Sequence, residues 1–219
     1  TLFWGTDLFS NYEGWLVEAV RAACENARVN WVIKIHPAHV AKAAAEGTDE
    51  EPAELVAIRE RVGPLPAHVV VIPPDTDINT YSLFPLMDYC LTVRGTIGIE
   101  AACFGIPVLT AGTGRYDHRG FTIDSDTREA FLARVAAIEV LPPMTADQRE
   151  RAERFAYGAF VLRPLPLTTM TIEHESDREA TMRVRINARD ADDLRHGPDL
   201  QALGAWAAKY NKNRLVNNV

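Results

Sequence analysis

The sequence predicts an α/β fold in which a Rossmann-like, doubly wound and mostly parallel sheet is followed by a C-terminal extension. Up to about Phe160, short apolar runs alternate with segments of helical periodicity, which is typical of βα units. The runs are nearly continuous in apolar character, as in strands buried on both faces. Both patterns stop after Arg163. We therefore predict a domain over residues 1–163 and an extension over 164–219.

Local patterns predict the individual elements. The apolar runs predict strands at Thr1–Gly5, Val29–Ile35, His68–Ile72, Tyr89–Val93 and Ile106–Thr110. The segments between and after them predict helices at Tyr12–Asn26, Pro52–Val62, Tyr81–Met87, Ile97–Phe104, Asp126–Val140 and Thr145–Phe160. Asp75–Asn79 offers N-caps for the third of these helices, Asp126 or Thr127 caps the fifth, and Thr145 with Gln148 forms a capping box for the sixth.

The extension has a different pattern. Arg163–Ser176 predicts a hairpin or an extended arm, and a helix is expected near Leu200–Tyr210. Neither element brings enough apolar residues for a core of its own. We expect the extension to pack on this domain or on a companion domain.

Composition narrows the choice of ligands and location. The chain has 23 Lys and Arg against 30 Asp and Glu, a formal charge of −7, so a broad nucleic-acid footprint is not expected and any anion must meet a local site. Three scattered cysteines predict neither a disulfide framework nor a metal site, and they fit a reducing compartment. The sequence shows neither a membrane-length apolar run nor a leader pattern. We expect a cytoplasmic protein, and the start at Thr1 suggests part of a longer chain.

Polar or glycine residues follow four of the predicted strands. They are Lys34–Pro37, Pro74–Asp77, Arg94–Glu100 and Ala111–Gly120. Because ligands of doubly wound sheets bind outside the carboxyl ends of the strands, we expect these four points to share one rim.

Arg94–Glu100 carries the strongest of the four signals. Gly95 lets backbone approach a ligand, and the free N–H groups after Thr96 favour a phosphate through their direction and the helix dipole. Gly98 adds no side chain at this turn. Glu100 lies one helical turn further on and can accept hydrogen bonds from sugar hydroxyls. The structural alternative is an ordinary turn with Thr96 as N-cap and Glu100 in solvent.

His36 is the second candidate for contacting an anion. Pro37 fixes the backbone where the strand ends, and the imidazole there can donate a hydrogen bond into the cleft. A lone histidine is more often a capping or packing residue, but its place at the end of a buried strand favours a ligand role.

The remaining candidates are weaker. Arg94, His118 and Arg119 are the basic residues nearest the rim, and the loop around the last two is as consistent with a surface turn as with a ligand role. Carboxylates for acid/base work exist in Asp75, Asp77 and Asp124, although each is also a good N-cap. The sequence contains no dinucleotide GxGxxG, P-loop, nucleophile elbow or HExxH motif, which disfavours dehydrogenases and Walker-type ATPases.

The motifs resemble those of a known enzyme family. Those carrying the resemblance are Lys34-Ile35-His36-Pro37, Gly95-Thr96-Ile97-Gly98-Ile99-Glu100-Ala101-Ala102, Gly105-Ile106-Pro107-Val108, Gly112-Thr113-Gly114-Arg115-Tyr116 and Gly120-Phe121-Thr122. From about Trp31 to Phe160 the chain resembles the nucleotide-sugar half of bacterial capsule polysaccharide biosynthesis glycosyltransferases. These are GT-B enzymes that include Kdo transferases.

The resemblance implies a donor-binding domain for CMP-Kdo or a similar nucleotide sugar, with no further cofactor. It implies phosphate contacts for His36, Thr96 and Gly95, and a ribose contact for Glu100. The nucleotide-sugar-binding residues we predict are Lys34, His36, Pro37, Thr76, Arg94, Gly95, Thr96, Gly98 and Glu100. Val93-Arg94 stands where relatives often have serine or threonine, so the choice between a CMP and a UDP donor stays open.

The resemblance also implies partners. The saccharide acceptor and its N-terminal domain would lie in the parent protein, and the extension would cross back to that domain. Association with the inner face of a membrane would come through the parent protein.

Two other functions stay open. One is a UDP-sugar 2-epimerase-like enzyme, disfavoured because its serine-glycine-glycine turn is absent. The other is a non-catalytic α/β interaction domain in which His36 and Glu100 are structural.

Overall fold

The computed structural model describes residues 8–37, 40, 47, 50–112, 115–174 and 182–209, and it shows a mixed α/β protein. The chain divides into two compact units. One comprises Thr1–His39 and Asp49–Ala156, and the other Val40–Thr48 and Tyr157–Val219. The predicted strand Thr1–Gly5 lies outside the described residues.

Helices of the first unit begin and end close to where the sequence predicts them. They are α1 (Tyr12–Glu25), α2 (Ala53–Ala57, continued by a π-helical turn at Ile58–Val62), a 3₁₀ helix at Thr80–Leu86, α3 (Thr96–Cys103), α4 (Arg128–Ala136, followed by a 3₁₀ turn at Ile138–Val140) and α5 (Ala146–Tyr157). The helix predicted over Asp126–Val140 is too long, because the backbone leaves the helical region at Ala137, where φ is −129°. The capping box of α5 is confirmed, since Gln148 N donates to Thr145 Oγ1 at 3.2 Å and Thr145 N donates to Gln148 Oε1 at 2.9 Å.

Four short strands form two parallel pairs. Strand β1 (Trp31–Lys34) pairs with β2 (Val69–Ile72), and β3 (Cys90–Thr92) pairs with β4 (Val108–Thr110). Ile35 N donates to Ile72 O at 3.0 Å, so β1 and β2 end side by side. A further parallel bridge joins Leu109 to Ile123. Within the described residues these are separate two-stranded sheets, shorter than the predicted strands.

The β3–β4 pair has a hydrophobic cluster on each face. On one face Leu91 and Leu109 pack with residues of α1 and α4, including Ala19 and Phe131. The other cluster includes residues of β3, β4, α3, α5, the 3₁₀ helix and the segment 116–121, among them Cys90, Val108, Ile99, Ala102 and Ala152. This pair is therefore covered by helices on both faces, which explains why its strands read as continuous apolar runs.

In the second unit a π-helical turn at Gly158–Leu162 follows α5, so the helix predicted to end at Phe160 changes its hydrogen-bond pattern three residues earlier. It continues with an antiparallel pair, β5 (Met170–His174) and β6 (Met182–Ile186), and with helices α6 (Ala191–His196) and α7 (Pro198–Lys209). Of the hairpin or arm predicted over Arg163–Ser176, only β5 lies in that range, and its partner β6 lies in the charged segment that follows. Helix α7 confirms the helix expected near Leu200–Tyr210. Of all the helices in the described ranges, none is both long and apolar enough to cross a membrane.

Candidate functional site

The turn from β3 into α3 is built around Gly95. Gly95 is the N-cap residue, with φ −67° and ψ 152°, and among the described residues no side chain caps this helix. Thr96 is the first helical residue and is exposed. Gly95 N donates to Thr92 Oγ1 at 3.2 Å, and Gly98 N donates to Gly95 O at 3.1 Å. The alternative in which Thr96 is the N-cap is therefore wrong, because the glycine before it holds that position.

Tyr116 fixes the next loop to this turn. Its hydroxyl donates to Gly95 O at 2.7 Å, and its buried ring stacks on Phe121 with ring centroids 6.0 Å apart. Burial, and secondarily the nearby Cys90, raises the pKa of Tyr116, so the phenol stays a hydrogen-bond donor. A Cβ on Gly98 would lie 2.2 Å from the Tyr116 hydroxyl oxygen. The predicted ligand residue Gly98 is thus buried, and the contact it makes is with Tyr116.

Asp124 holds the same loop from its other side. Its carboxylate accepts from Thr110 Oγ1 at 2.9 Å, from Thr122 Oγ1 at 2.7 Å and from the backbone N–H of His118 at 2.8 Å. His118 has a φ of +54°, a left-handed conformation that is uncommon outside glycine. Asp124 is not the N-cap suggested by sequence, because Thr127 caps α4 through a bond from Ala130 N at 3.1 Å.

Positive charge at this turn comes from Arg94 and Arg115. Arg94 lies two residues after the end of β3 and is partly buried, and Arg115 Nη1 donates to Arg94 O at 3.4 Å. The other two basic candidates lie further along the loop and are exposed. His118 lies 3.5 Å from an Asp117 oxygen and 3.8 Å from an Asp124 oxygen, so two carboxylates offset any charge on it. Arg115 is not among the predicted site residues, although it belongs to the glycine and tyrosine motif.

Glu100 lies one turn into α3 and is partly buried. Its carboxylate interacts with Tyr81 and raises the pKa of the Tyr81 hydroxyl. Tyr81 belongs to the 3₁₀ helix that follows the end of β2. The motif around Glu100 does not indicate this neighbour, because Tyr81 lies in an element that follows a different strand.

The other predicted residues occupy the ends of β1 and β2. Lys34 is the last residue of β1, and His36 and Pro37 are exposed directly after it. Thr76 is partly buried after β2, and its Oγ1 accepts from Ile78 N at 3.2 Å. The contacts described above link the loop at 115–116 to the turn at Arg94–Gly95. Because β1 and β2 run parallel, His36 lies at the same end of that pair as Thr76. Thr113 and Gly114 lie outside the described residues.

This arrangement combines three chemical capacities. The first turn of an eight-residue helix lies beside two arginines, a carboxylate stands one turn away, and that carboxylate interacts with a tyrosine. Such groups bind phosphate, diols and planar rings respectively. No protein-family model, curated protein or solved structure matches the chain. Function therefore has to be inferred from these residues and their geometry.

Proposed function

We propose that this chain is the donor-binding part of a GT-B glycosyltransferase, using a CMP- or UDP-linked sugar in the synthesis of a capsular or other surface polysaccharide. The observation that carries the proposal is the start of α3, where a glycine stands in the N-cap position beside Thr96, Arg94 and the Glu100 carboxylate. Phosphate, basic and diol-binding groups within one helical turn suit a nucleotide better than a simple anion.

The phosphate would bind at the α3 start. Thr96 N and Ile97 N are the first two N–H groups of the helix, and an α-helix provides no backbone acceptor for them. The helix dipole adds about 0.3–1 kcal/mol for a negative charge there. Gly95 adds no side chain, and Arg94 and Arg115 supply positive charge in a chain whose net charge is −7. His36 would donate to the same phosphate group from the end of β1.

The fold supports a GT-B-type, doubly wound sheet. Helices cover both faces of the β3–β4 pair, and Trp31 of β1 packs against the same cluster as Leu91 and Leu109. Both parallel pairs thus share one hydrophobic cluster. We propose that they belong to one Rossmann-like sheet, with the nucleotide outside its carboxyl edge.

Sugar transfer requires more than donor binding. An acceptor hydroxyl must be held in line with the donor carbon, with a base within hydrogen-bond reach. The carboxylate of Asp124 already accepts three hydrogen bonds within its own loop. We propose that a companion domain of the parent protein supplies the acceptor and the base, at the cytoplasmic face of a membrane.

A melting experiment with nucleotides tests donor binding. CMP, CDP, UMP and UDP at millimolar concentration should each be compared with orthophosphate. At a ligand concentration 100 times its dissociation constant, binding stabilises the folded state by about 2.7 kcal/mol. If all four nucleotides leave the melting temperature unchanged, the proposed function is lost.

Substitution of His36 separates binding from folding. His36→Ala should weaken nucleotide binding by roughly 1.5–3 kcal/mol, the range for hydrogen bonds to charged groups, with an unchanged unfolding midpoint. His196→Ala is the matched control, because His196 is also exposed and lies in the other unit. A lower unfolding midpoint with unaltered affinity would make His36 a structural residue and favour the interaction-domain reading.

A further inference from the structure

We propose that two copies of this chain associate through the outer edges of β5, which pair antiparallel about a two-fold axis at Ile172 and join two hairpins into one four-stranded sheet. This inference concerns the second unit and is independent of the proposed function. In the described part of the chain, the β5–β6 sheet has only two strands. A two-stranded hairpin is at best marginally stable in water, so a strand added to its edge stabilises it.

The hairpin has one apolar and one polar face, and both are exposed. Ile172 lies directly opposite Val184, and Ile186 follows on the same face of β6. All three residues are exposed. Side chains of opposite character alternate with them and lie on the other face, namely those of Thr171, Glu173, Arg183 and Arg185. A neighbouring strand with the same alternation would continue both faces, and its apolar side chains would contact Ile172.

The base of the hairpin is fixed to the rest of the unit. The Asp199 carboxylate of α7 accepts from Thr168 N at 2.9 Å and from Thr169 N at 3.0 Å. Asn187 Nδ2 donates to Thr168 O at 3.2 Å and to Thr171 Oγ1 at 2.9 Å. Strand β5 is thus held in an extended conformation before a partner arrives, which lowers the entropy that association costs.

The backbone groups on the outer side of β5 belong to Met170, Ile172 and His174. Asn187 N donates to Thr169 O at 2.8 Å, so these two residues face each other across the ladder. Because hydrogen-bonded pairs alternate along an antiparallel ladder, the N–H and C=O groups of Met170, Ile172 and His174 point away from β6. No strand in the described ranges pairs with them. A second β5, turned about a two-fold axis at Ile172, places Ile172 opposite Ile172 and Met170 opposite His174, so that outward groups meet outward groups.

Charge favours the edge of β5 over that of β6. About the proposed axis, Thr171 of one copy lies opposite Glu173 of the other, and the threonine hydroxyl can donate to the carboxylate. Glu173 keeps the ion pair with Arg185 of its own hairpin, at 3.5 Å. The corresponding pairing of two β6 strands about Val184 would place Arg183 opposite Arg185 twice. Like charges directly opposite each other destabilise a sheet, and charged side chains on an edge strand oppose pairing.

Two-fold pairing also limits the assembly to two copies. An edge of β5 paired with an edge of β6 would leave one open edge at each end and would continue into long chains. Pairing of β5 with β5 leaves only the edges of β6, which carry the arginines. One pair of five-residue strands is smaller than a standard interface of about 1,200–2,000 Å². We therefore expect a weak dimer, with a dissociation constant on the order of 100 µM.

Proline at the two strand centres tests which edge pairs. Ile172→Pro removes the outward N–H at the centre of the interface and no hydrogen bond between β5 and β6. Val184→Pro is the matched control, because Val184 lies directly opposite Ile172 and its N–H points outward from β6. Sedimentation equilibrium of the 219-residue chain over a range of micromolar concentrations measures association. We expect dimers of the wild type and of Val184→Pro, and at least about tenfold weaker association of Ile172→Pro, which loses two hydrogen bonds per dimer.

Charge at Thr171 tests the register without a proline. Thr171→Glu places a carboxylate opposite Glu173 on both sides of the axis and should weaken the dimer about three- to tenfold, while Thr171→Lys should strengthen it by a similar factor. Both variants lose the hydrogen bond from Asn187. Within one hairpin, position 171 lies opposite Arg185, where a glutamate is favourable and a lysine is not. A change in hairpin stability alone would therefore act in the reverse order.

Each outcome decides for or against the pairing of β5. A wild type that stays monomeric throughout the concentration range would overturn it, as would growth into chains longer than dimers. Dimers that persist in Ile172→Pro and are lost in Val184→Pro would assign the contact to β6. If both proline variants lose the dimer, the Thr171 variants decide, and equal association of Thr171→Glu and Thr171→Lys would contradict the register about Ile172.

Discussion

Two helix starts in this molecule treat negative charge in opposite ways. At the start of α7 the chain supplies its own anion: the buried Asp199 carboxylate accepts from Thr168 N at 2.9 Å, Thr169 N at 3.0 Å, Thr169 Oγ1 at 2.7 Å and Leu200 N at 3.0 Å. At the start of α3 a glycine stands in the N-cap position and the adjacent Thr96 is exposed.

At the start of α7, a carboxylate of the chain itself fills the anion-binding position. A carboxylate at the α7 start collects four donors and becomes part of the fold, so it leaves no place for a ligand. The α3 start is instead shaped from outside, by Tyr116 on Gly95 O and by Arg115 on Arg94 O. The first site stabilises structure, and the second keeps a helix terminus accessible beside positive charge.

The largest expected effect on stability comes from adding a side chain at Gly98, next to Tyr116. Gly98→Ala places a methyl group 2.2 Å from the Tyr116 hydroxyl oxygen and 3.0 Å from Thr92 Cγ2. The ring is buried and hydrogen-bonded, so it has to shift together with its loop. We expect a loss of about 1–3 kcal/mol in the free energy of unfolding, the usual cost of overpacking, measured by urea denaturation.

Gly204→Ala is the matched control for that change. A Cβ on Gly204 meets no atom within 4 Å, and alanine favours a helix over glycine by about 0.5–1 kcal/mol. This variant should be neutral or slightly more stable. A Gly98→Ala protein as stable as the wild type would show that Tyr116 does not pin the turn.

The second effect concerns the occupied start of α7. Burial alone would raise the pKa of Asp199, but hydrogen bonds from the backbone and side chain of Thr169, from Thr168 N and from Leu200 N outweigh it and lower the pKa. A lowered pKa contributes stability that is fully present above the unfolded-state value of about 3.9 and is lost as pH falls further toward the folded-state pKa.

Amide exchange of the second unit can measure this contribution. Asp199→Asn should speed the exchange of Thr169 N–H at pH 7, and it should flatten the loss of protection that the wild type shows below about pH 4. Asp192→Asn is the control, since Asp192 is exposed on the short helix α6. Equal protection of Thr169 N–H in the wild type and in Asp199→Asn would show that the hydrogen bonds to the Asp199 carboxylate do not stabilise this unit.

The smallest effect on stability should come from placing a capping side chain at the N-cap position of α3. Gly95→Asp gives α3 the kind of cap that Thr127 gives α4, and the aspartate favours the helix by only a few tenths of a kcal/mol over glycine. Its carboxylate would occupy the phosphate position and repel an anion. Nucleotide binding should fall at least about tenfold while the melting temperature barely changes. Thr127→Ala should do the reverse, losing about 1 kcal/mol of stability with unchanged affinity.

A Gly95→Asp variant that binds nucleotide as well as the wild type would place any binding elsewhere. The pair of variants thus distinguishes a helix start kept open for a ligand from one that merely lacks a good cap.

Local patterns predicted most elements of the first unit. Helix α1 was expected over Tyr12–Asn26 and ends one residue earlier, and the capping box at Thr145 is present. Strand ends were less accurate, because Val29 and Tyr89 are apolar residues that pack in a cluster without joining a ladder. Helix α6 was not predicted, since its first turn depends on the Asp190 carboxylate accepting from Asp192 N and Asp193 N within a charged segment.

The candidate site was predictable only for residues that lie close together in sequence. Gly95, Thr96 and Glu100 lie within six residues, so helical spacing alone places them together. Tyr116 and Arg115 reach the same turn from about 20 residues away, and Tyr81 reaches Glu100 from the helix after another strand. Hydrophobic periodicity cannot predict such contacts, because they depend on which loops the sheet brings close together.

Amide chemical shifts of nitrogen-15-labelled protein test the central claim most directly. During titration with CMP or UMP, we expect the N–H signals of Thr96 and Ile97 to shift in a saturable way. Those of Gly14 and Ala130, already bonded to the caps Asn11 and Thr127, should stay in place. Gly95→Asp should abolish the shifts. Titration with either nucleotide that leaves Thr96 and Ile97 unmoved, or that shifts only signals distant from the α3 start, would contradict the account.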